Sequence, residues 1–304
     1  YFIGFFFQML RAAALFGVSA VAGCLLHSSG STEQPVECAK GDAPCPFSPD
    51  TFKGYKLISS RYESHDTRRF LFALENGDSC FNLPVASCIV CKFTDSDGKD
   101  VTRPYTPISD NATKGRFELI IKKYPKSKMG THVFQLRTGE ELLMKGPFVK
   151  FDYSANMWSH VGMLCGGTGL APMYQVIRAI VTNPKDKTNV SLVYANNARR
   201  DILLANELTE MQKTYPNFNM YLTLLDVPQR WLGGIGFINR AMIEAFMPKP
   251  GAKNTKILVC GPPGMMKALS GDKEYPSGKP PQQGALSGLL KDMGYTEDQV
   301  FKFQ

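Results

Sequence analysis

Histidine is scarce in this chain, with four in 304 residues, and none stands at a spacing that gathers metal ligands. A Walker A loop and a GxGxxG turn, the two commonest nucleotide signatures, are missing too. So are a ferredoxin-type cysteine set and any pair of side chains arranged as general acid and base. No metal centre, P-loop or fused iron–sulfur carrier is therefore expected. Nor is there a run of Lys and Arg interleaved with aromatic residues, so no nucleic acid is expected as partner. The net charge of +8 points instead to an acidic protein or an anionic membrane surface. With 43% apolar and 20% charged residues, the composition excludes both a disordered chain and a polytopic membrane protein. The length suffices for one large core or two smaller ones.

The eight cysteines divide by context. Cys88 and Cys91 spell CxxC inside an apolar stretch that reads as a strand. Residues three apart on a strand face opposite ways, so a shared metal is not expected. Cys38 and Cys45 flank a Gly/Pro loop and are read either as two unrelated thiols or as a pair formed in an oxidising compartment. Residues 1–26 are almost wholly apolar, broken by Gln8 and Arg11, and about twenty apolar residues span a bilayer. A single anchoring helix is expected, with Arg11 snorkelling or the embedded stretch shortened; a remnant targeting segment is the alternative. Residues 27–50 have the Ser/Gly/Pro composition of a linker.

From residue 51 to 151 the pattern is of short strands: Lys56–Arg61, Arg68–Leu74, Ser87–Thr94, Phe117–Lys123 and Glu141–Lys145. Turn signals separate them, which predicts a small antiparallel β-barrel. From 152 to 304 the rhythm changes. Strands at Val161–Cys165, Val190–Ala195, Phe218–Leu225 and Ile257–Cys260 alternate with helical periods, first Met173, Val176, Ile177, Ile180 and Val181, then Leu204, Leu208, Met211 and Tyr215, with Asp201 as the expected cap. That alternation predicts a doubly wound α/β domain that binds its ligand at the carboxyl ends of the strands. The fold class is thus α+β in two domains, barrel first and α/β second, behind an anchoring helix.

Three motifs carry the chemistry. Gly166-Gly-Thr-Gly-Leu-Ala-Pro-Met173 joins a strand to a helix, with Pro172 in the first turn. Glycines there let backbone approach a phosphate, and a helix N-terminus offers unpaired N–H groups. Cys260-Gly-Pro-Pro-Gly-Met-Met266 closes another strand in a rigid turn, placing a thiol toward the same cleft. Arg103-Pro-Tyr-Thr-Pro-Ile-Ser109 offers a guanidinium for a pyrophosphate, a ring for stacking and hydroxyls for hydrogen bonds.

In this order and at these separations, the three motifs resemble the ferredoxin-reductase superfamily, and within it the NADH–cytochrome b5 reductases. The likeness runs from about Phe52 to Phe303 and includes Lys145-Gly-Pro147 and the ending Gly294-Tyr-Thr-Glu-Asp-Gln-Val-Phe-Lys-Phe303. It implies FAD in the barrel domain and NADH in the α/β domain. By position, Arg103 with Pro104 would hold the FAD pyrophosphate, Tyr105 would lie against the flavin ring, and Thr106 would hydrogen-bond near its reactive nitrogen. Ser109 belongs to the same loop. Ile120, Lys122 and Tyr124 match the strand beside the flavin, with Lys122 also near NADH. Lys128, Met129, Gly130 and Thr131 match a phosphate-holding turn. Gly166, Gly167, Thr168, Gly169 and Pro172 would lie under the dinucleotide. Cys260 would stand by the nicotinamide, in a pocket shaped by Gly261, Pro262, Gly264 and Met265. Thr106, Lys122 and Cys260 are the expected catalytic group.

The chain departs from the family at two points. Where the family has Gly-Lys-Met-Ser, this chain has Ser127-Lys-Met-Gly130, which removes a hydroxyl from the FAD phosphate unless Thr131 replaces it. Where the family has an Asp for the adenosine ribose, the ungapped match gives Leu225, with Asp226 next. The implied activity is hydride transfer from NADH to FAD, then single-electron transfer to cytochrome b5 or another acidic haem protein. A non-catalytic subunit of a larger respiratory assembly is the alternative. The anchor implies a membrane site, mitochondrial rather than endoplasmic reticulum. Between Lys114 and Lys128, Lys114, Arg116, Lys122, Lys123, Lys126 and Lys128 face a single acid, Glu118; this run is read as a docking face or as a solvated surface.

Overall fold

The structure, a computed structural model, describes residues 45–277 and 281–303. The expected anchor, most of the linker and Cys38 lie outside these residues. Cys45 lies within them and has a free thiol. No helix among the described residues is long and apolar enough to cross a membrane.

The first half is a six-stranded antiparallel sheet. Its elements are β1 (Lys53–Tyr62), β2 (Thr67–Ala73), β3 (Ser87–Thr94), β4 (Asp100–Tyr105), β5 (Arg116–Lys122), α1 (Lys128–Gln135) and β6 (Glu141–Val149). The strand order is β4-β3-β6-β1-β2-β5. Residues of β1, β2, β3, β5 and β6 share one core, so the sheet wraps around it. Phe117 stacks on Phe72 and on Phe81 there, with centroids 5.6 Å apart in each pair. Full burial of each ring contributes about 1.5–3 kcal/mol. Cys91 points into this core and Cys88 does not, as opposite strand faces require. No strand was expected at β4, whose Pro104 cannot donate to a ladder. As an edge strand paired only with β3, it has no need to.

The second half is a parallel sheet. Its elements are β7 (His160–Gly166), α2 (Leu170–Val181), β8 (Asn189–Ala198), α3 (Ala205–Thr214), β9 (Phe218–Asp226), β10 (Gly234–Ile235), α4 (Arg240–Phe246), β11 (Thr255–Cys260), α5 (Pro263–Leu269), α6 (Gly288–Asp292) and β12 (Val300–Lys302). The order β10-β9-β8-β7-β11-β12 reverses between β7 and β11. Such a reversal opens a crevice at the strands' carboxyl ends, where ligands of doubly wound sheets bind. Met173, Val176, Ile177 and Ile180 of α2 are all fully buried, as their helical period requires.

One expected feature is corrected. Asp201 does not cap α3. It ends a short 3-10 turn, Arg199–Asp201, and its carboxylate accepts from Ala198 N at 3.0 Å. Leu204, in a left-handed conformation (φ 54°), precedes α3 instead. Its N–H is taken by Glu63 of the antiparallel half at 2.7 Å. A carboxylate from one half therefore sits at a helix N-terminus of the other, where the helix dipole favours it.

Candidate functional site

Register brings two of the three motifs together. β7 and β11 are neighbours with Cys165 opposite Cys260, so the two glycine-rich turns leave adjacent strands side by side. Gly167, Thr168 and Gly169 form a 3-10 turn that leads straight into α2. Gly169 lies so close to the Cys260 turn that a Cβ on it would stand 2.3 Å from the Cys260 carbonyl oxygen. Gly167 has φ +54°, and a Cβ there would meet nothing within 4 Å. That is the open backbone surface a phosphate needs. Met265 on α5 closes over Gly166 and Gly261; a Cβ on either would lie 2.8 or 2.5 Å from its sulfur. Pro262 and Gly264 stand exposed on the rim.

The antiparallel half reaches the same place. β5 lies against the Gly167–Gly169 turn. Tyr105 is half-buried against the first core, and burial pushes its phenol pKa up, with Arg103 and Tyr124 close enough to act on it. Arg103 is exposed, and its guanidinium donates to the Thr102 carbonyl at 2.7 Å. Thr106 follows the end of β4 and is half-buried. Lys122 Nζ lies 2.8 Å from Asp66 and 4.0 Å from Asp201, bridging the two halves. Tyr124 is 49% exposed.

Several other expected site residues also make contacts within the fold. Ile120 is buried in a core cluster shared with Leu170 and Tyr174 of the parallel half. The Ser109 hydroxyl accepts from Glu118 N at 2.6 Å, and Met129 is buried in the first core. Ser127 caps α1, its Oγ accepting from Gly130 N at 2.9 Å. A Cβ on Gly130 would crowd that oxygen at 2.9 Å. Ser127 and Gly130 thus fit each other at the start of α1. Thr131 remains half-buried in a cleft of about 540 Å³, with Ser127 and Lys128 also in its lining. Pro172 is buried in the first turn of α2, and Asp226 is exposed at the end of β9.

Several residues that brace the turns belong to none of the three motifs. The Tyr194 hydroxyl donates to the Gly167 carbonyl at 3.1 Å and props the first turn from beneath. Asn196, two residues on and so on the same strand face, is 7% exposed, with its amide close to the Tyr194 hydroxyl. On α2, Gln175 accepts from Ser87 N at 3.0 Å, and Arg178 contacts Asp110 at 3.1 Å and the Ile108 carbonyl. Both tie the helix behind the first turn to the antiparallel half. No single motif marks such residues, since each matters only through its partner across the fold.

Burial pushes the Cys260 thiol up to about 12. A thiol held that high is neutral near pH 7 and can offer packing and a weak donor there rather than a thiolate.

Sequence models of two families match the chain. The oxidoreductase FAD-binding domain covers residues 54–153 and the oxidoreductase NAD-binding domain residues 163–271. Among curated proteins, the chain is 41% identical to NADH-cytochrome b5 reductase 2 of Aspergillus terreus over 286 residues, 92% of this chain and 86% of that one. It is 46% identical to the protein of the same name from Pyricularia oryzae over 254 residues, 83% of this chain and 76% of that one. Among solved structures, the cytochrome b5 reductase domain of Ulva prolifera nitrate reductase superposes with a TM-score of 0.74 at 29% identity, covering 86% of this chain and all of that one. The CS-b5R domains of human Ncb5or share the fold, with a TM-score of 0.67 at 20% identity, covering 84% and 70% of the two chains.

Proposed function

This chain belongs to the NADH–cytochrome b5 reductase family, and from that premise we propose that its cleft brings NADH and FAD together and hands the electrons singly to cytochrome b5. The observation that carries the reading is the packing of the Gly166–Gly169 turn on the Cys260–Met265 turn, at the sheet's point of reversal and against β5 of the flavin half. The family relationship favours a reductase over a non-catalytic accessory subunit.

FAD, when bound, accepts a hydride in one step and releases electrons one at a time. The protein's part is placement. Arg103 supplies a charge for the pyrophosphate, and Tyr105 and Tyr124 present ring faces. Thr106 offers a hydroxyl, and the first turn of α1 and the Gly167–Gly169 turn before α2 offer backbone N–H groups to phosphates. Cys260, Pro262, Gly264 and Met265 wall the nicotinamide side. The ties from Gln175, Arg178 and Glu63 fix one half against the other, because the reacting atoms must meet at roughly 3–3.5 Å. Lys122, held by Asp66, stands between the halves.

Cys260→Ala tests the thiol. FAD should stay bound while hydride transfer slows about tenfold, a barrier increase of ~1.4 kcal/mol. Because the thiol stays protonated far above neutrality, wild-type single-turnover rates should show no Cys260 titration on either side of neutral pH. Stopped-flow reduction by NADH across pH checks both, and an unchanged rate in the variant would take Cys260 out of the site.

The basic run is partly neutralised from outside itself. Lys128 lies 2.6 Å from Asp95 and Lys122 is held by Asp66. Lys114, Arg116, Lys123 and Lys126 have no ion pair among the described residues. These four would steer an acidic haem protein. Steering raises association rates by ~10- to 10³-fold and weakens steeply with salt. Cytochrome b5 reduction should therefore slow as ionic strength rises while reduction of a small neutral quinone does not. Replacing Lys123 and Lys126 by Glu should reproduce the high-salt rate at low salt. Cytochrome b5 turnover indifferent to both treatments would place docking elsewhere.

Residues 1–26 are the proposed membrane anchor, on the strength of their apolar run, and a mitochondrial membrane is the proposed site. Retention of the full chain in the membrane pellet after alkaline extraction, and its release when residues 1–26 are deleted, is the expected result.

A further inference from the structure

Lys302, on β12, is 2% exposed and forms no ion pair among the described residues. Burial draws its pKa down, and Glu297, Asp272 and Glu274 oppose that shift. Its Nζ lies 3.4 Å from the carbonyl oxygen of Ser270, 3.1 Å from that of Asp272, 3.1 Å from that of Gly284 and 3.0 Å from that of Ala285. An ammonium has three N–H bonds, so four carbonyls outnumber its protons. They converge on it as dipoles on a cation, the arrangement that replaces the hydration shell of a potassium ion. The backbone of Lys302 is clasped too. Its N–H donates to Gln283 Oε1 at 2.7 Å, and Gln283 Nε2 donates back to its carbonyl at 3.2 Å.

The cage fastens both ends of α5. Ser270 is the residue that ends α5, and Asp272 follows two positions later. At the other end, β12 runs beside β11 with Lys302 opposite Val259, and Phe303 N donates to the Val259 carbonyl at 2.8 Å. Cys260 comes next, and α5 begins after Pro262. One buried charge thus links the strand that enters the Cys260 turn to the carbonyls that leave the helix. Between them stands Met265, whose sulfur closes over Gly166 and Gly261.

We propose that Lys302 is a positioning residue: its ammonium fills a monovalent-cation site made of backbone carbonyls and so holds the α5 wall of the dinucleotide cleft in register. This rests on the reading of that cleft as the NADH site.

The test uses the flavin-loaded protein with Lys302→Ala, Lys302→Met and Lys302→Arg. Lys302→Ala should keep its flavin and its reduction by dithionite, yet lose roughly 10- to 100-fold in single-turnover reduction by NADH, as displacements of about 1 Å do. Amide exchange at residues 266–272 and 284–287 should quicken. Added n-propylammonium, which replaces the missing segment, should restore both rate and protection, and 1-propanol should restore neither. Lys302→Met keeps the packing but not the charge and should be slow without rescue. Lys302→Arg, whose planar fork cannot present one point charge to converging carbonyls, should fall between. Wild-type NADH kinetics and exchange in Lys302→Met overturn the proposal, as does a defect in Lys302→Ala that the amine leaves untouched. If Lys302→Ala does not accumulate as soluble flavoprotein, Lys302→Met decides alone. A wild-type protein whose flavin NADH does not reduce would defeat the reading of the cleft, while amine-dependent protection of α5 would still report on the cage.

Discussion

Gly169→Ala is expected to keep FAD and to lose roughly a hundredfold in the rate at which NADH reduces it. The added methyl would fall 2.3 Å from the Cys260 carbonyl oxygen and 2.6 Å from its carbon. Both are backbone atoms at the end of a central strand, so no side chain can swing away. One turn must move by about an ångström, and overpacking of this kind also costs about 1–3 kcal/mol of stability. The displacement falls between the two surfaces that would hold the dinucleotide, and leaves Arg103, Tyr105 and α1 untouched. Stopped-flow reduction checks it, with Gly77→Ala as control, since a Cβ at Gly77 meets nothing within 4 Å. A Gly169→Ala enzyme as fast as the control would show that the contact between the turns does not set the reacting distance.

Arg103→Ala is expected to weaken FAD binding by about 10- to 150-fold, the equivalent of the ~1.5–3 kcal/mol of a charge-assisted hydrogen bond. The side chain is exposed, and among the described residues its guanidinium donates only to the carbonyl of its own neighbour, Thr102. Its loss should cost the fold little and the cofactor much. Titration of the flavin-free protein with FAD measures the effect. An unchanged dissociation constant would remove Arg103 from the pyrophosphate site.

Patterns within one element were legible in the sequence, and patterns between elements were not. The buried stripe of α2, the apolar alternation of Phe117, Leu119 and Ile121, and the strand-then-helix rhythm after residue 160 all follow from local periodicity, and the expected strands appear where it places them, while the short β10 and β12 were not expected. Pro104 hid β4, because a proline argues against a strand unless the strand is known to lie at an edge, and edge position is a property of the whole sheet. Asp201 had the right chemistry for a cap, but α3 is served by Glu63, 141 positions earlier. That Ser127 Oγ caps α1 through the Gly130 N–H, leaving no room for a Cβ at Gly130, is a pairing that only the structure shows. The charge run between Lys114 and Lys128 overstated its own field, because Asp66 and Asp95 lie outside it in sequence and beside it in space. The Lys302 cage was invisible for the same reason, since its acceptors are backbone carbonyls and carry no sequence signature.

Anaerobic mixing of the FAD-loaded protein with NADH, followed by oxidised cytochrome b5, tests the central claim most directly. The flavin absorbance should bleach in one phase that saturates with NADH, and cytochrome b5 should then be reduced at two equivalents for each NADH consumed. A flavin that NADH leaves oxidised, or a reduced flavin that cytochrome b5 cannot reoxidise, would contradict the account.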